Sequence, residues 1–157
     1  MKHFARLQDL AALVGQPLAE SDWIAVEQSR IEAFAEATGD HQWIHIDAAR
    51  AAQGPFGATI AHGFLTLSLL PALLAGAWVI DDVRMGLNYG LNRVRFPAPL
   101  PAGSRVRARF KLLAFDALAD AGAQLGIEAS IEREGSAKPV CVAEMLTRQF
   151  TSPMMRS

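Results

Sequence analysis

The sequence predicts an α+β domain in which a long antiparallel sheet curls round one apolar central helix. Three observations lead there. Residues 62 to about 78 form the longest helical stretch, with Leu65, Leu67, Leu69, Leu70, Leu73 and Leu74 spread over every face and only Thr66 and Ser68 as polar interruptions. A helix that is apolar all round must be covered all round. Arg105, Arg107, Arg109 and Lys111 alternate with Val106, Ala108, Phe110 and Leu112, which is the period of a half-buried strand. Two more strand-like runs, 124–132 and 140–150, follow the turns Asp120-Ala121-Gly122 and Glu134-Gly135-Ser136, as antiparallel neighbours joined by tight turns do. Strands with one apolar face can wrap a helix that needs cover.

The other elements fit round this centre in chain order. Phe4, Leu7, Leu10, Ala11 and Val14 have helical spacing up to Gly15, so 1–15 is expected to hold an N-terminal helix packed outside the core. Residues 23–26 read as a short strand. Ser29-Arg30-Ile31-Glu32 matches a capping box, and Ile31, Phe34, Ala35 and Thr38 continue a stripe as far as Gly39, a residue suited to the left-handed position after a helix. Residues 41–46 are expected to run extended. Asp47 is a good N-cap for a short helix over 48–52. Gln53-Gly54-Pro55-Phe56-Gly57 breaks that helix and reads as a connector. Residues 84–96 read as a strand with a bend or bulge at Gly86 and Gly90, and 97–103 as a Pro/Gly-rich turn.

Composition narrows the function classes. The 157 residues are 51% hydrophobic and 20% charged, a globular balance spanning 1–157 as one domain. A net charge of −1 gives no global field to recruit nucleic acid or an anionic membrane. The lone Cys141 excludes an internal disulfide framework, suits a reducing compartment and reads as a buried thiol. The apolar run 64–80 sits at the lower limit of a span of roughly 17–25 residues. Pro71 and Gly76 interrupt it and Asp81-Asp82 closes it, so no membrane span is expected. The alternating basic strand face is expected to be solvated, neutralised by residues such as Glu128 and Glu132.

Two centres carry chemistry. Asp40 and His45 lie five apart in a turning segment just past a helix end. A carboxylate and a neutral imidazole facing one cavity can hold a water and move its proton. Alternatively, Asp40 caps local N–H groups and His45 packs in the core. His41 and His45 are four apart, but no helix is expected there and Gln42 stands where a zinc protease needs Glu, so no metal site is expected. His62-Gly63 opens the apolar helix, whose first N–H groups lack partners and carry the positive end of its dipole. Gly63 has no side chain to block an approaching oxygen; tight packing against the sheet is the other reason for a glycine there.

Phe34-Ala35-Glu36-Ala37-Thr38-Gly39-Asp40 with His45, followed by Ile60-Ala61-His62-Gly63-Phe64-Leu65, resembles the MaoC-like dehydratases, the (R)-specific enoyl-CoA hydratases of the hotdog fold. The subgroup most similar is that of nodulation protein N and mycobacterial enoyl-CoA hydratases, whose Gly-Asp-His-Gln-Trp-Ile-His motif stands unchanged at 39–45. Residues 88–97, from Asn88 to Pro97, are similar too. Gln42-Trp43 departs from the Asn-Pro of the broader family. The resemblance implies a hotdog fold, and Asp40 and His45 as the catalytic pair. It also implies Gly63, His62 and Asn92 at the oxyanion or substrate-binding site. The implied reaction is hydration of a trans-2-enoyl-CoA to the (R)-3-hydroxyacyl-CoA, in a cytoplasmic homodimer with no cofactor, since coenzyme A is part of the substrate. A hotdog acyl-CoA thioesterase and a non-catalytic acyl-CoA-binding module are the alternatives.

Overall fold

In the computed structural model, which describes residues 1–119 and 121–151, the long antiparallel sheet forms as expected. Long strands β5 (Met85–Arg95), β6 (Ser104–Leu118), β7 (Gly122–Arg133) and β8 (Cys141–Phe150) are antiparallel. Short strands β2 (Pro17–Glu20) and β3 (Ile24–Val26) both pair with β6, giving the order β2-β6-β7-β8-β5. A separate parallel pair joins β1 (Lys2–Phe4) to β4 (Trp78–Ile80). The alternation in the first half of β6 turns Val106, Ala108, Phe110 and Leu112 inward, where they are buried with Leu125, Ile127, Ala129 and Ile131 of β7. Asp120, in the expected turn before β7, lies outside the described residues.

Helix α1 (Gln28–Thr38), single turns α2 (Trp43–Ile46) and α3 (Ala48–Ala52), and helices α4 (Gly63–Ser68) and α5 (Leu70–Ala77) complete the fold. The apolar helix is divided at Leu69. Pro71 has no N–H to donate back to the carbonyl of residue 67, so the ladder is interrupted there. Leu65, Leu69, Leu70 and Leu73 nevertheless reach one core with Val106, Phe110, Leu112 and Ile127. Trp78, just after α5, sets its ring edge-on to Phe110, centroids 4.9 Å apart.

Several expectations are corrected. The N-terminal segment is a strand followed by a 3-10 helix over Leu7–Leu13, and Leu7 and Leu10 are fully buried in the main core rather than outside it. The Ser29 capping box does not form: α1 begins two residues earlier than that cap implies, after Glu27, and has no side-chain cap. Residues 43–46 make a helical turn instead of running extended. The apolar helix is not covered on all sides: Phe64 is 71% exposed, and Pro71, Ala72 and Ala75 on the same side are also exposed. The basic face of β6 is neutralised by Glu132, as expected, but with Glu20 and Glu134 beside it in place of Glu128. Glu20 pairs with Arg107 and Arg109, Glu132 with Arg107, and Glu134 with Arg105.

Other expectations hold. Gly39 ends α1 at φ 77°, its N–H on the Ala35 carbonyl. The Asp47 carboxylate caps α3 through the Arg50 N–H. The β5 ladder shifts register between Asn88 and Gly90. Cys141 is buried, and desolvation pushes its thiol up to about 11, which leaves little thiolate at neutral pH. No helix among the described residues is long and apolar enough to cross a membrane.

Candidate active site

The site is built where three chain segments meet behind the end of α1. Gly39, at positive φ, turns the chain so that Asp40 starts a loop. The Asp40 carboxylate is 54% exposed, and its contacts are long ones, 3.4 Å from the Gln42 N–H and 3.9 Å from His62 Nε2. Its backbone carbonyl is held more firmly, accepting from His62 Nε2 at 2.9 Å.

The turn of α2 then carries His45 inward, where it is 6% exposed. Its Nδ1 lies 2.6 Å from the Ile60 carbonyl. A carbonyl can only accept, so Nδ1 carries the proton and the neutral ring leaves Nε2 with a free lone pair. A second layer fixes the backbone beneath it. The His45 carbonyl accepts from Gln28 Nε2 at 2.9 Å, and Gln28 Oε1 accepts from the Thr59 hydroxyl at 2.6 Å. Trp43 holds the outer side. Arg50 lies over its ring at 4.5 Å, and a Cβ on Gly54 would stand 3.0 Å from that ring. Trp43 therefore packs against the loop 47–57.

His62 sits between these groups, only 2% exposed. Its ring stacks on His45 with centroids 3.7 Å apart and planes 25° off parallel, and Phe34 packs on it at 5.0 Å. Gly63 follows and opens α4. The peptide linking them is fixed, because the His62 carbonyl accepts both the Thr66 N–H at 3.0 Å and the Thr66 hydroxyl at 3.2 Å. In a trans peptide the N–H points opposite to the C=O, so the Gly63 N–H is aimed out of the helix. The Phe96 ring covers Gly63 so closely that a Cβ there would lie 3.0 Å from it.

His45 and Gly63 border one cavity of about 400 Å³ whose remaining wall is mostly apolar, from Phe56, Ile60, Phe96, Leu100 and Val140 among others. The loop read from sequence as a plain connector thus contributes Phe56 to this wall. Such a cavity, with few polar groups at one end, suits a ligand with a reactive head and an apolar tail.

The residues predicted from sequence divide into three groups. Asp40 and His45 each have a ligand atom within 4.8 Å of the other, and His45 and Gly63 border one cavity. His62 joins them, but buried behind the pair with Nε2 already engaged. Asn92 does not: it is exposed on β5 at a register shift and does not border the cavity. His41 also points elsewhere, pairing with Glu36 at 2.9 Å. That hydrogen bond raises its pKa above the ordinary imidazole value. Asp40, His45 and His62 each offer a ligand atom within 4.8 Å of the others. Two of the three are stacked rings, which project their lone pairs side by side rather than toward one point, and His62 Nε2 is spent on a carbonyl. Gln28, Thr59, Ile60 and Phe96 were not legible as site residues, because each acts through a long-range backbone or ring contact that no local spacing encodes.

Several known proteins are similar to this chain. The profile of the family described as "MaoC like domain" matches residues 9–123. The chain is 51% identical over 148 residues to 3-hydroxyacyl-thioester dehydratase Z of Mycobacterium tuberculosis (strain ATCC 25618 / H37Rv), covering 94% of this chain and 98% of that protein. It is 46% identical over 147 residues to nodulation protein N of Rhizobium leguminosarum bv. viciae, covering 92% and 91%. Among solved structures, a MaoC-like dehydratase from Rhodospirillum rubrum superposes with a TM-score of 0.75 at 22% identity, covering 95% of this chain and 99% of that one. The (R)-hydratase from A. caviae involved in PHA biosynthesis gives 0.66 at 24%, covering 85% and 94%. These structural likenesses establish a shared hotdog fold.

Proposed function

The chain belongs to the MaoC-like dehydratase family, and on that premise we propose that Asp40, His45 and Gly63 carry out the family's reaction on a coenzyme A thioester. The protein is a dehydratase that interconverts a trans-2-enoyl-CoA and the (R)-3-hydroxyacyl-CoA. The residue assignment rests on a half-exposed carboxylate that lies within 4.8 Å of the His45 ring, an imidazole with a free Nε2, and an aimed backbone N–H that borders the same cavity as that imidazole.

In the hydration direction Asp40 and His45 Nε2 hold one water. As the water oxygen bonds to C3, Asp40 takes its proton. The C2=C3 electron pair moves toward the thioester carbonyl, and the Gly63 N–H donates to the oxygen as enolate charge develops. A proton from the same Asp/His pair then closes C2. Removing a donor of the Gly63 kind typically costs about 2.7–4 kcal/mol of transition-state stabilisation. The chemistry uses only side chains and one peptide group, so the proposal includes no cofactor beyond the coenzyme A of the substrate. The apolar cavity takes the acyl chain.

A thioesterase on the same fold would release a free thiol. With a saturated acyl-CoA, the expected result is no thiol release above the spontaneous rate; steady release would replace the dehydratase assignment by hydrolysis.

The proposal also includes a cytoplasmic homodimer. β5 is an eleven-residue edge strand, with Leu87, Tyr89 and Leu91 exposed. It borders the uncovered side of α4 and α5, with an apolar groove of about 250 Å³ between them. An edge of this length and composition is a pairing site if left bare. Sedimentation at micromolar concentration is expected to give twice the chain mass, and Leu91→Glu to shift it toward one. A monomeric wild-type protein would contradict the dimer.

A further inference from the structure

We propose that His62 is a positioning residue that sets the geometry of all three reacting groups without touching substrate, an inference that rests on the hydratase reading. It holds Asp40 through its Nε2–H, His45 through its ring face, and the Gly63 N–H through their shared peptide.

The tautomer follows from the partners. The Asp40 carbonyl only accepts, so His62 carries its proton on Nε2. Nδ1 is then a bare lone pair, buried and without a hydrogen-bond partner among the described residues. A buried acceptor left unpaired is costly and calls for a reason. Leucine or phenylalanine would fill the space between Phe34 and His45 without that cost. The cost is explained if the ring is needed for its other nitrogen.

Asp40 shows why. Its carboxylate is half exposed and weakly held, and Gly39 before it has the freest backbone available. The bond from His62 to the Asp40 carbonyl is the tie that stops the residue swinging about Gly39. His45 needs a different restraint. The Ile60 carbonyl fixes Nδ1 as one point of the ring, while the 3.7 Å stack fixes its plane and so the direction of the Nε2 lone pair.

Three substitutions separate this role from simple filling. Glutamine places its amide nitrogen near the Nε2 position, asparagine places one near Nδ1, and leucine places none. With purified protein and crotonyl-CoA, His62→Gln is expected to lose less kcat than the other two variants, because it restores the tie to the Asp40 carbonyl but not the ring stacked on His45. His62→Asn and His62→Leu are expected to lose about 100-fold in kcat, the scale of a 1 Å misplacement, with KM unchanged. Wild-type kcat in the Asn or Leu variant, or equal losses in all three, would overturn the proposal. Long-range 1H–15N correlation on the wild-type imidazoles tests the tie without turnover: His62 is expected to carry its proton on Nε2, and an Nδ1–H ring would overturn the proposal. If the wild-type protein does not hydrate crotonyl-CoA, the hydratase reading fails, while the tautomer still decides the His62–Asp40 bond.

Discussion

Asp40→Asn is expected to lower turnover by about 10²–10⁴-fold, the usual worth of a general acid/base, while leaving the thermal midpoint unchanged. Asparagine keeps the shape of the side chain and loses only its anionic acceptor. The Asp40 backbone carbonyl, which His62 holds, is untouched. Because the carboxylate is 54% exposed and its contacts, 3.4 Å from the Gln42 N–H and 3.9 Å from His62 Nε2, are long, stability has little to lose; such surface changes usually stay within about ±0.5 kcal/mol. Initial rates of enoyl-CoA hydration, with a melting curve on the same sample, measure both halves. Undiminished turnover in a folded variant would remove Asp40 from the mechanism.

Phe110→Ala is expected to do the reverse. Phe110 is almost completely buried at the centre of β6 and meets the Trp78 ring edge-on at 4.9 Å. Truncating a buried phenylalanine costs about 3–5 kcal/mol, because the removed ring leaves a cavity that the surroundings close only in part. For a chain of this size that is a fall of about 6–20 °C in the midpoint. Phe110 does not border the cavity shared by His45 and Gly63, so turnover per folded molecule, measured well below the new midpoint, stays close to wild type. A midpoint within a degree or two of wild type would contradict the packing of the α5–β4 junction against the sheet. The two variants together separate what holds the fold from what performs the reaction.

The parts of the fold that were legible in the sequence are those governed by short periods and single-residue chemistry. Alternation from Arg105 to Leu112 fixed which side of β6 faces inward. Gly39 and Asp47 ended and began helices as their backbone preferences require. Misreadings arose where packing overrode local preference. Leu7 and Leu10 have helical spacing, but they close over the core as a tight 3-10 turn. Residues 43–46 lack a helical stripe, yet form a turn that drives His45 inward while Trp43 is held between Arg50 and Gly54. The apolar character of α4 and α5 was visible, but a bare apolar side looks the same in sequence as a buried one.

For the site, residue types and spacing supplied Asp40 and His45 as a pair with two open readings, and Gly63 as a donor. The restraints that join them were not legible. The Ile60 carbonyl lies 15 positions from His45 and the Asp40 carbonyl 22 from His62, and a backbone oxygen leaves no mark in a sequence. Asn92, suggested by resemblance alone, sits on the exposed edge strand instead of in the cavity wall.

The most direct test of the central claim is to incubate the purified protein with crotonyl-CoA and determine what is formed and with which handedness. The expected result is loss of the conjugated enoyl absorbance without release of free coenzyme A, with (R)-3-hydroxybutyryl-CoA as the product by chiral analysis. Release of the thiol, the (S) product, or binding without turnover would contradict it.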